Sequence, residues 1–195
     1  MKYPPLDIRD IAIIDAFPVY QCEPLVLNVG CGEGRIDFHL MELKYSVYAT
    51  DIKRREIWED VIKENCFLKF SEADIFNLES FPINQAPIVI CSEVLEHLVE
   101  YKKALKNLIK LTKVRLIITV PFEESFGGRF APPPEGHYNL WSDRRKLRYK
   151  NINEFHKLCR PYSVSISKIR TKPEDVEMKQ YCFLIVIDKK QKFNF

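Results

Sequence analysis

Residues 24–34 read "PLVLNVGCGEG", and the architecture of the chain turns on them. A short β-favouring run ends in Gly30, Gly32 and Gly34 follow at two-residue spacing, and "RIDFHLMELK" then takes up helical periodicity. Glycine suits a backbone that must turn tightly or let a ligand approach closely. The helix start behind it offers unpaired N–H groups to a polar ligand. By itself, G-x-G-x-G is equally compatible with a plain tight turn.

Outward from this stretch, strand and helix alternate with short connections. "SVYATD" (46–51) reads as a strand and "EIWEDVIKE" as a helix. "CFLKFSEAD" and "APIVICSE" are further strands. "EVLEHLVEYKKALKNLIKLT" reads as one long helix before the strand "VRLIITV". That rhythm predicts an α/β fold, a mostly parallel sheet with helices on both faces. The near-continuous apolar runs "IVIC" and "LIIT" agree, since such strands are buried on both sides. At the C-terminal end, "NINEFHKLCR" reads as a capped helix, and "YSVSISKI" and "YCFLIVID" as two strands that give the sheet an antiparallel end. At the start, "DIRDIAIIDAF" has helical spacing and is expected to lie across one end of the domain.

A single domain over 1–195 is expected, since the length supports one well-buried core. It divides into an N-terminal helical segment (1–23), a core (24–120), an irregular loop (121–150), and a C-terminal helix with two strands (151–195). Apolar residues make up 46% and charged residues 29%, an ordinary globular balance, and the net charge of +3 is too small to indicate nucleic acid by itself. None of the six cysteines forms a C-x-x-C pair, so reduced, mostly buried thiols are expected. The N-terminus lacks the basic-then-apolar layout of a signal peptide, and no run approaches the ~18 apolar residues of a membrane span. A cytoplasmic protein is the expectation.

Asp51 ends the second strand some 20 residues beyond Gly30, at the carboxyl edge where an acid can accept bonds from both ribose hydroxyls. The third glycine stands one residue too early for the dinucleotide fingerprint G-x-G-x-x-G, so a nucleoside without phosphates fits better. At this point "LNVGCGEG", "VYATD", "EADIFNL", "IVICSEVLEHL" and "IITVPF" resemble, in order, the S-adenosylmethionine-dependent methyltransferases built on a seven-stranded, Rossmann-like, doubly wound sheet. The branch they look most like includes the methyltransferases of ubiquinone biosynthesis. The resemblance covers roughly residues 24–122, with a looser echo in "EGHYNLWS" (135–142). It implies that Asn28, Gly30, Cys31, Gly32 and Gly34 hold the methionine portion of S-adenosylmethionine. It implies too that Asp51, followed by Ile52, takes the ribose and that Asp74 reaches the adenine amino group with Ile75 on the ring. Ser92 and Glu93 then lie near the sulfonium. Two departures stand out: Asn28 occupies a position where the family often has Asp, and "LTKVR" replaces the usual Pro-Gly-Gly turn before the fifth strand.

Glu93, Glu96 and His97 fall at i, i+3 and i+4, which share one face of a helix. On residue type alone they are a metal site, an acid/base group or the polar start of a surface helix. The resemblance offers a precedent: an E-x-x-E-H run with a distant His occurs in ubiquinone-type O-methyltransferases and in small-RNA 2′-O-methyltransferases, where it holds a catalytic metal. It implies Glu93, Glu96, His97 and His137 as ligands for Mg, Mn or Zn. Without a metal, His97 or His137 becomes the candidate base, with Glu93 beside it. His39 and His156 sit in ordinary helical patterns.

The stretch "PFEESFGGRFAPPPEGHYNLW" is too long and aperiodic for a plain linker and reads as a lid and acceptor pocket, with Phe122, Phe126, Tyr138 and Trp141 as aromatic walls. The basic run "RRKLRYK" (144–150) is either a solvated face or a track for RNA phosphates. The expected function is methylation of an oxygen on a small-molecule acceptor by direct displacement. An RNA ribose 2′-hydroxyl, with metal assistance, is the alternative acceptor. A non-catalytic, cofactor-binding regulatory module is the alternative of a different class.

Overall fold

A computed structural model describes residues 5–18, 25–62, 66–122, 135–143, 149–171 and 180–189. Strand β1 (Leu25–Val29) leads through the glycine turn into α2 (Arg35–Glu42), which follows α1 (Ile8–Asp15). Then come β2 (Ser46–Asp51), α3 (Ile57–Ile62), β3 (Leu68–Glu72) and β4 (Ala86–Ser92). After β4 stand α4 (Tyr101–Leu111) and β5 (Thr112–Pro121). A two-residue pair, β6 (Trp141–Ser142) and β7 (Lys150–Asn151), precedes α5 (Glu154–Leu158), β8 (Ser163–Arg170) and β9 (Tyr181–Asp188).

Seven strands form one sheet in the order β3-β2-β1-β4-β5-β9-β8. β1 to β5 pair in parallel, and β9, last in the chain, inserts antiparallel between β5 and β8. The strand order reverses between β1 and β4, which opens a crevice at the carboxyl ends of those strands where ligands bind in open α/β sheets. Alternate residues serve opposite faces, as a strand's period of two requires. Val26, Ile88, Ile90 and Ile117 pack with Ile13 of α1 and Ile36, Phe38 and Leu40 of α2. Leu27, Val89, Leu116 and Ile118 pack with Ala104, Leu105, Leu108 and Leu111 of α4 and Phe155 of α5.

The single long helix expected after β4 is not formed. Glu93 has φ +56°, in the left-handed region that halts helical continuation. A 3₁₀ turn over Leu95–His97 follows, and α4 begins only at Tyr101. Two expected pocket walls are core instead: Trp141 is fully buried against Tyr101 and Phe155, and Phe122 packs on Phe183. Phe126, Cys22 and residues 144–148 of the basic run lie outside the described residues. The five described cysteines form no disulfide, with Cys91, Cys159 and Cys182 buried, and Cys66 exposed. Among the described residues, no helix is long and apolar enough to cross a membrane.

Candidate active site

Two cavities meet at the end of β1. The larger, about 590 Å³, is lined by Gly30, Gly32, Asp51, Ile52, Asp74, Ile75 and Glu93 among others, and reaches His97 and Leu98. The smaller, about 320 Å³, is lined by Arg9, Asp10, Asn28, Gly30, Cys31, Glu33, Arg35, Ser92 and Glu93 among others. Gly30 and Glu93 face both, so a ligand with a nucleoside at one end and an amino acid at the other has a continuous seat.

The glycine turn is fixed by its neighbours. The Gly32 N–H donates to Asp51 Oδ2 at 2.8 Å, and Trp58 Nε1 donates to the Gly32 carbonyl at 3.0 Å. Asp51 therefore holds the loop as well as lining the larger cavity. Gly30 has φ +79°, and a Cβ there would meet Val94 Cγ2 at 2.3 Å. The turn and the segment after β4 are thus packed so closely that only glycine fits. Asp74 Oδ1 accepts from the Phe76 N–H at 2.9 Å, and Asn107 of α4 donates to the Ile75 carbonyl at 2.8 Å, which pins this stretch of the cavity wall.

Asn28 lines the smaller cavity and donates through Nδ2 to both carboxylate oxygens of buried Asp37, each at 3.0 Å. Burial pushes the Asp37 carboxyl up to about 7, against the pull of Asn28's hydrogen bonds. This accounts for the amide where the family often has Asp: a second buried carboxylate would face Asp37 with no cation between them. Asn28 Oδ1 is buried with no hydrogen-bond partner among the described residues, an orphan acceptor suited to a ligand ammonium group.

Arg9 and Arg35 were not singled out from sequence; they line this cavity together with the acids Asp10, Glu33 and Glu93. Arg35 pairs with Asp7 at 2.8 Å and Asp10 at 2.7 Å, and Arg9 pairs with Asp7 at 3.1 Å and Glu93 at 3.3 Å. Burial opposes the charge of Arg9, but Glu93, Asp7 and Asp10 outweigh it and hold the guanidinium above its ordinary value. An amino-acid carboxylate entering here meets two oriented guanidinium groups.

At the mouth of the larger cavity the four expected metal ligands divide. Glu93 turns away from the others: its Oε1 accepts from Thr119 Oγ1 at 3.0 Å and its Oε2 pairs with Arg9. The helical face that was to unite it with Glu96 and His97 is absent. Glu96, His97 and His137 do converge, with one ligand atom from each lying within 4.8 Å of the others. Glu96 is almost wholly buried, and the His97 and His137 rings meet edge to face at 4.7 Å. His97 Nδ1 lies 3.1 Å from the Gly136 carbonyl, and donation there leaves Nε2 for a ligand. A carboxylate and two imidazoles suit a borderline divalent cation, so the donor set fits such an ion with three members.

Asn139, also unforeseen, joins the mouth to the core. Its Nδ2 donates to the carbonyls of Leu95 at 2.9 Å and Leu98 at 2.6 Å, and the N–H groups of Tyr138 and Asn139 donate to the Glu96 carbonyl. Ser92 completes the strand end through a hydroxyl contact with Thr119 at 2.8 Å.

Comparison with known proteins bears on the fold that carries this site. Residues 27–115 match the model of a methyltransferase domain family. Among curated protein sequences, none matches the chain. A solved S-adenosylmethionine-dependent methyltransferase from Aquifex aeolicus is 21% identical, with a TM-score of 0.62 over 91% of this chain and 88% of that one. The 1,6-didemethyltoxoflavin-N1-methyltransferase of Burkholderia thailandensis is 19% identical, with a TM-score of 0.62 over 86% and 72%. The magnesium protoporphyrin IX methyltransferase of Synechocystis PCC 6803 is 19% identical, with a TM-score of 0.61 over 93% and 76%. At these identities the likeness to the solved structures is one of fold. Residues 27–115 thus match a methyltransferase-domain family model, and the sheet as a whole has the Rossmann-like fold of solved S-adenosylmethionine-dependent methyltransferases.

Proposed function

We propose that the chain is an S-adenosylmethionine-dependent methyltransferase whose methyl group goes to a hydroxyl oxygen of the acceptor, a small molecule in the first reading. The observation that carries this is the cluster of Glu96, His97 and His137 at the mouth of the cavity that His97 also lines. A sulfonium donor is already activated, so aligning nucleophile, methyl carbon and sulfur supplies much of the acceleration. A hydroxyl must also lose a proton, and this is where a carboxylate and two imidazoles serve. The apolar wall of Ile75, Phe76 and Leu98 suits a compact organic acceptor.

In the same reading, the nucleoside of the cofactor occupies the larger cavity, with Asp51 at the ribose and Asp74 and Ile75 at the adenine. Its methionine end occupies the smaller one, with the ammonium toward Asn28 Oδ1 and the carboxylate toward Arg9 and Arg35. Glu93 stands between the two cavities, near the sulfonium. Were a divalent metal bound, Glu96, His97 and His137 would hold it, and it would lower the pKa of the acceptor hydroxyl. That donor set also supports the second reading, metal-assisted methylation of an RNA ribose 2′-hydroxyl.

The test is transfer of labelled methyl from S-adenosylmethionine into separated metabolite, RNA and protein pools, with and without exhaustive chelation. Label in the metabolite pool, on oxygen, is the expected result. Label in RNA overturns the first reading in favour of the second. Activity untouched by chelation removes the metal and leaves His97 or His137 as the base. Cofactor binding with no transfer to any pool makes the chain a regulatory module.

A further inference from the structure

Helix α4 buries Tyr101, Ala104, Leu105, Leu108 and Leu111 against the sheet. Every fully exposed position on it is lysine, namely Lys102, Lys103, Lys106 and Lys110, and the helix contains no acid. An ordinary solvated helix face interleaves acids three or four residues away. Here, among the described residues, Lys103 pairs only with the exposed Glu100, at 4.0 Å.

Lys102, Lys103 and Lys106 line a groove of about 500 Å³ with Lys150 of β7, Val99, Glu100 and Tyr101. Three of these ammonium groups stand over aromatic faces. Lys150 and Lys102 lie 4.2 and 5.8 Å from the Tyr101 ring centre, and Lys103 lies 5.4 Å from that of Phe76. Aromatic faces orient the cations without cancelling their charge. Lys150 also donates to Asn139 Oδ1. Burial holds Lys150 below its ordinary lysine value, with Glu154 opposing and Lys102 adding to the effect. An anion placed among these groups relieves their mutual repulsion.

The groove lies next to the larger cavity. Phe76 and Leu98 line that cavity, while Lys103 stands over Phe76 and Val99, which is 72% exposed, opens the groove. We propose that this groove is a phosphate-binding subsite for the methyl acceptor. Lys102, Lys103, Lys106 and Lys150 engage phosphate while the atom to be methylated enters the cofactor cavity past Leu98. The inference rests on the methyl-transfer reading above and adds to it that the acceptor carries phosphate. Lysine recognises phosphate as a mobile point charge, so the phosphate of a small metabolite and that of a nucleic acid chain share this chemistry.

The experiment titrates pyrophosphate, uridine 5′-monophosphate and a short oligouridylate into the full chain by calorimetry at low salt, with S-adenosylhomocysteine titrated in parallel. At least one phosphate probe binds. The double variant Lys102→Ala/Lys106→Ala weakens it about tenfold or more and flattens its salt dependence by roughly one to two contacts. The Lys102→Arg/Lys106→Arg pair restores it, and S-adenosylhomocysteine binds all forms alike. Pyrophosphate or the monophosphate binding as tightly as the oligomer assigns a phosphorylated small acceptor. Binding of the oligomer alone assigns a nucleic acid chain. If S-adenosylhomocysteine binds but no phosphate probe does, or if the alanine pair binds the probes as tightly as the unaltered chain, the subsite is refuted. An unaltered chain that binds no S-adenosylhomocysteine overturns the methyl-transfer reading and the subsite with it.

Discussion

Around the glycine turn, the side-chain bonds that fix the site join residues 9 to 26 apart in sequence: Asn28 to Asp37, Gly32 to Asp51, Trp58 to Gly32. At the mouth they join residues 39 to 44 apart, and Asn139 makes two of the three. The first region hangs on adjacent parallel strands that the core already holds. The second hangs on one amide docking a loop segment onto a 3₁₀ turn. The seat proposed for the cofactor is therefore built into the scaffold, whereas the site proposed for the acceptor depends on a few replaceable contacts.

The largest effect that sharpens this contrast is expected from Gly30→Val. The left-handed conformation costs a side chain about 1–2 kcal/mol before its collision with Val94 is counted. S-adenosylhomocysteine binding, followed calorimetrically, is expected to fall below detection. Affinity kept within about threefold, under 1 kcal/mol, would mean that the turn is not the rigid region described.

Asn139→Ala tests the other side. It strands the Leu95 and Leu98 carbonyls and the Lys150 ammonium, at a cost of about 1–3 kcal/mol. Transfer efficiency should fall while S-adenosylhomocysteine affinity holds, and the Tyr138 and Asn139 amides should exchange hydrogen faster. Equal losses in cofactor affinity and transfer would erase the distinction between the two regions.

The smallest effect is Asp37→Asn. Folding raises the Asp37 carboxyl to about 7, so the folded state keeps a proton that the unfolded state gives up. Its contribution is fully present below about pH 4, the ordinary carboxylate value, and is lost as pH rises through about 7. The variant should show a flatter decline in melting temperature between about pH 5 and 8 than the unaltered chain. Identical slopes would mean that Asp37 is already ionised in the fold.

The sheet was legible because its central strands are apolar throughout and are punctuated by glycine or acid where they end. The placement of Asp51 beside the glycine turn could be read for the same reason: it follows from position along neighbouring strands. What lay hidden depends on contacts that no local pattern records. Glu93 to Thr112 is rich in helix formers, yet the left-handed backbone at Glu93 breaks the pattern before it starts. Arg35 finds Asp7 and Asp10 from 28 and 25 residues away, so the charge lining the smaller cavity was invisible. Trp141, in an irregular stretch, looked like a pocket wall, but tertiary packing against Tyr101 and Phe155 takes it fully into the core.

The place of β9 bears on how the protein is made. β5 finds its second neighbour only when Tyr181–Asp188 has emerged, because Cys182–Asp188 pairs along Pro121–Arg115. Until then a nascent chain leaving the ribosome presents a long, apolar, unpaired strand edge, the kind of surface that templates association between copies. Loss of β9 would thus endanger solubility before it reached the chemistry, even though every described residue facing the two cavities comes earlier in the chain.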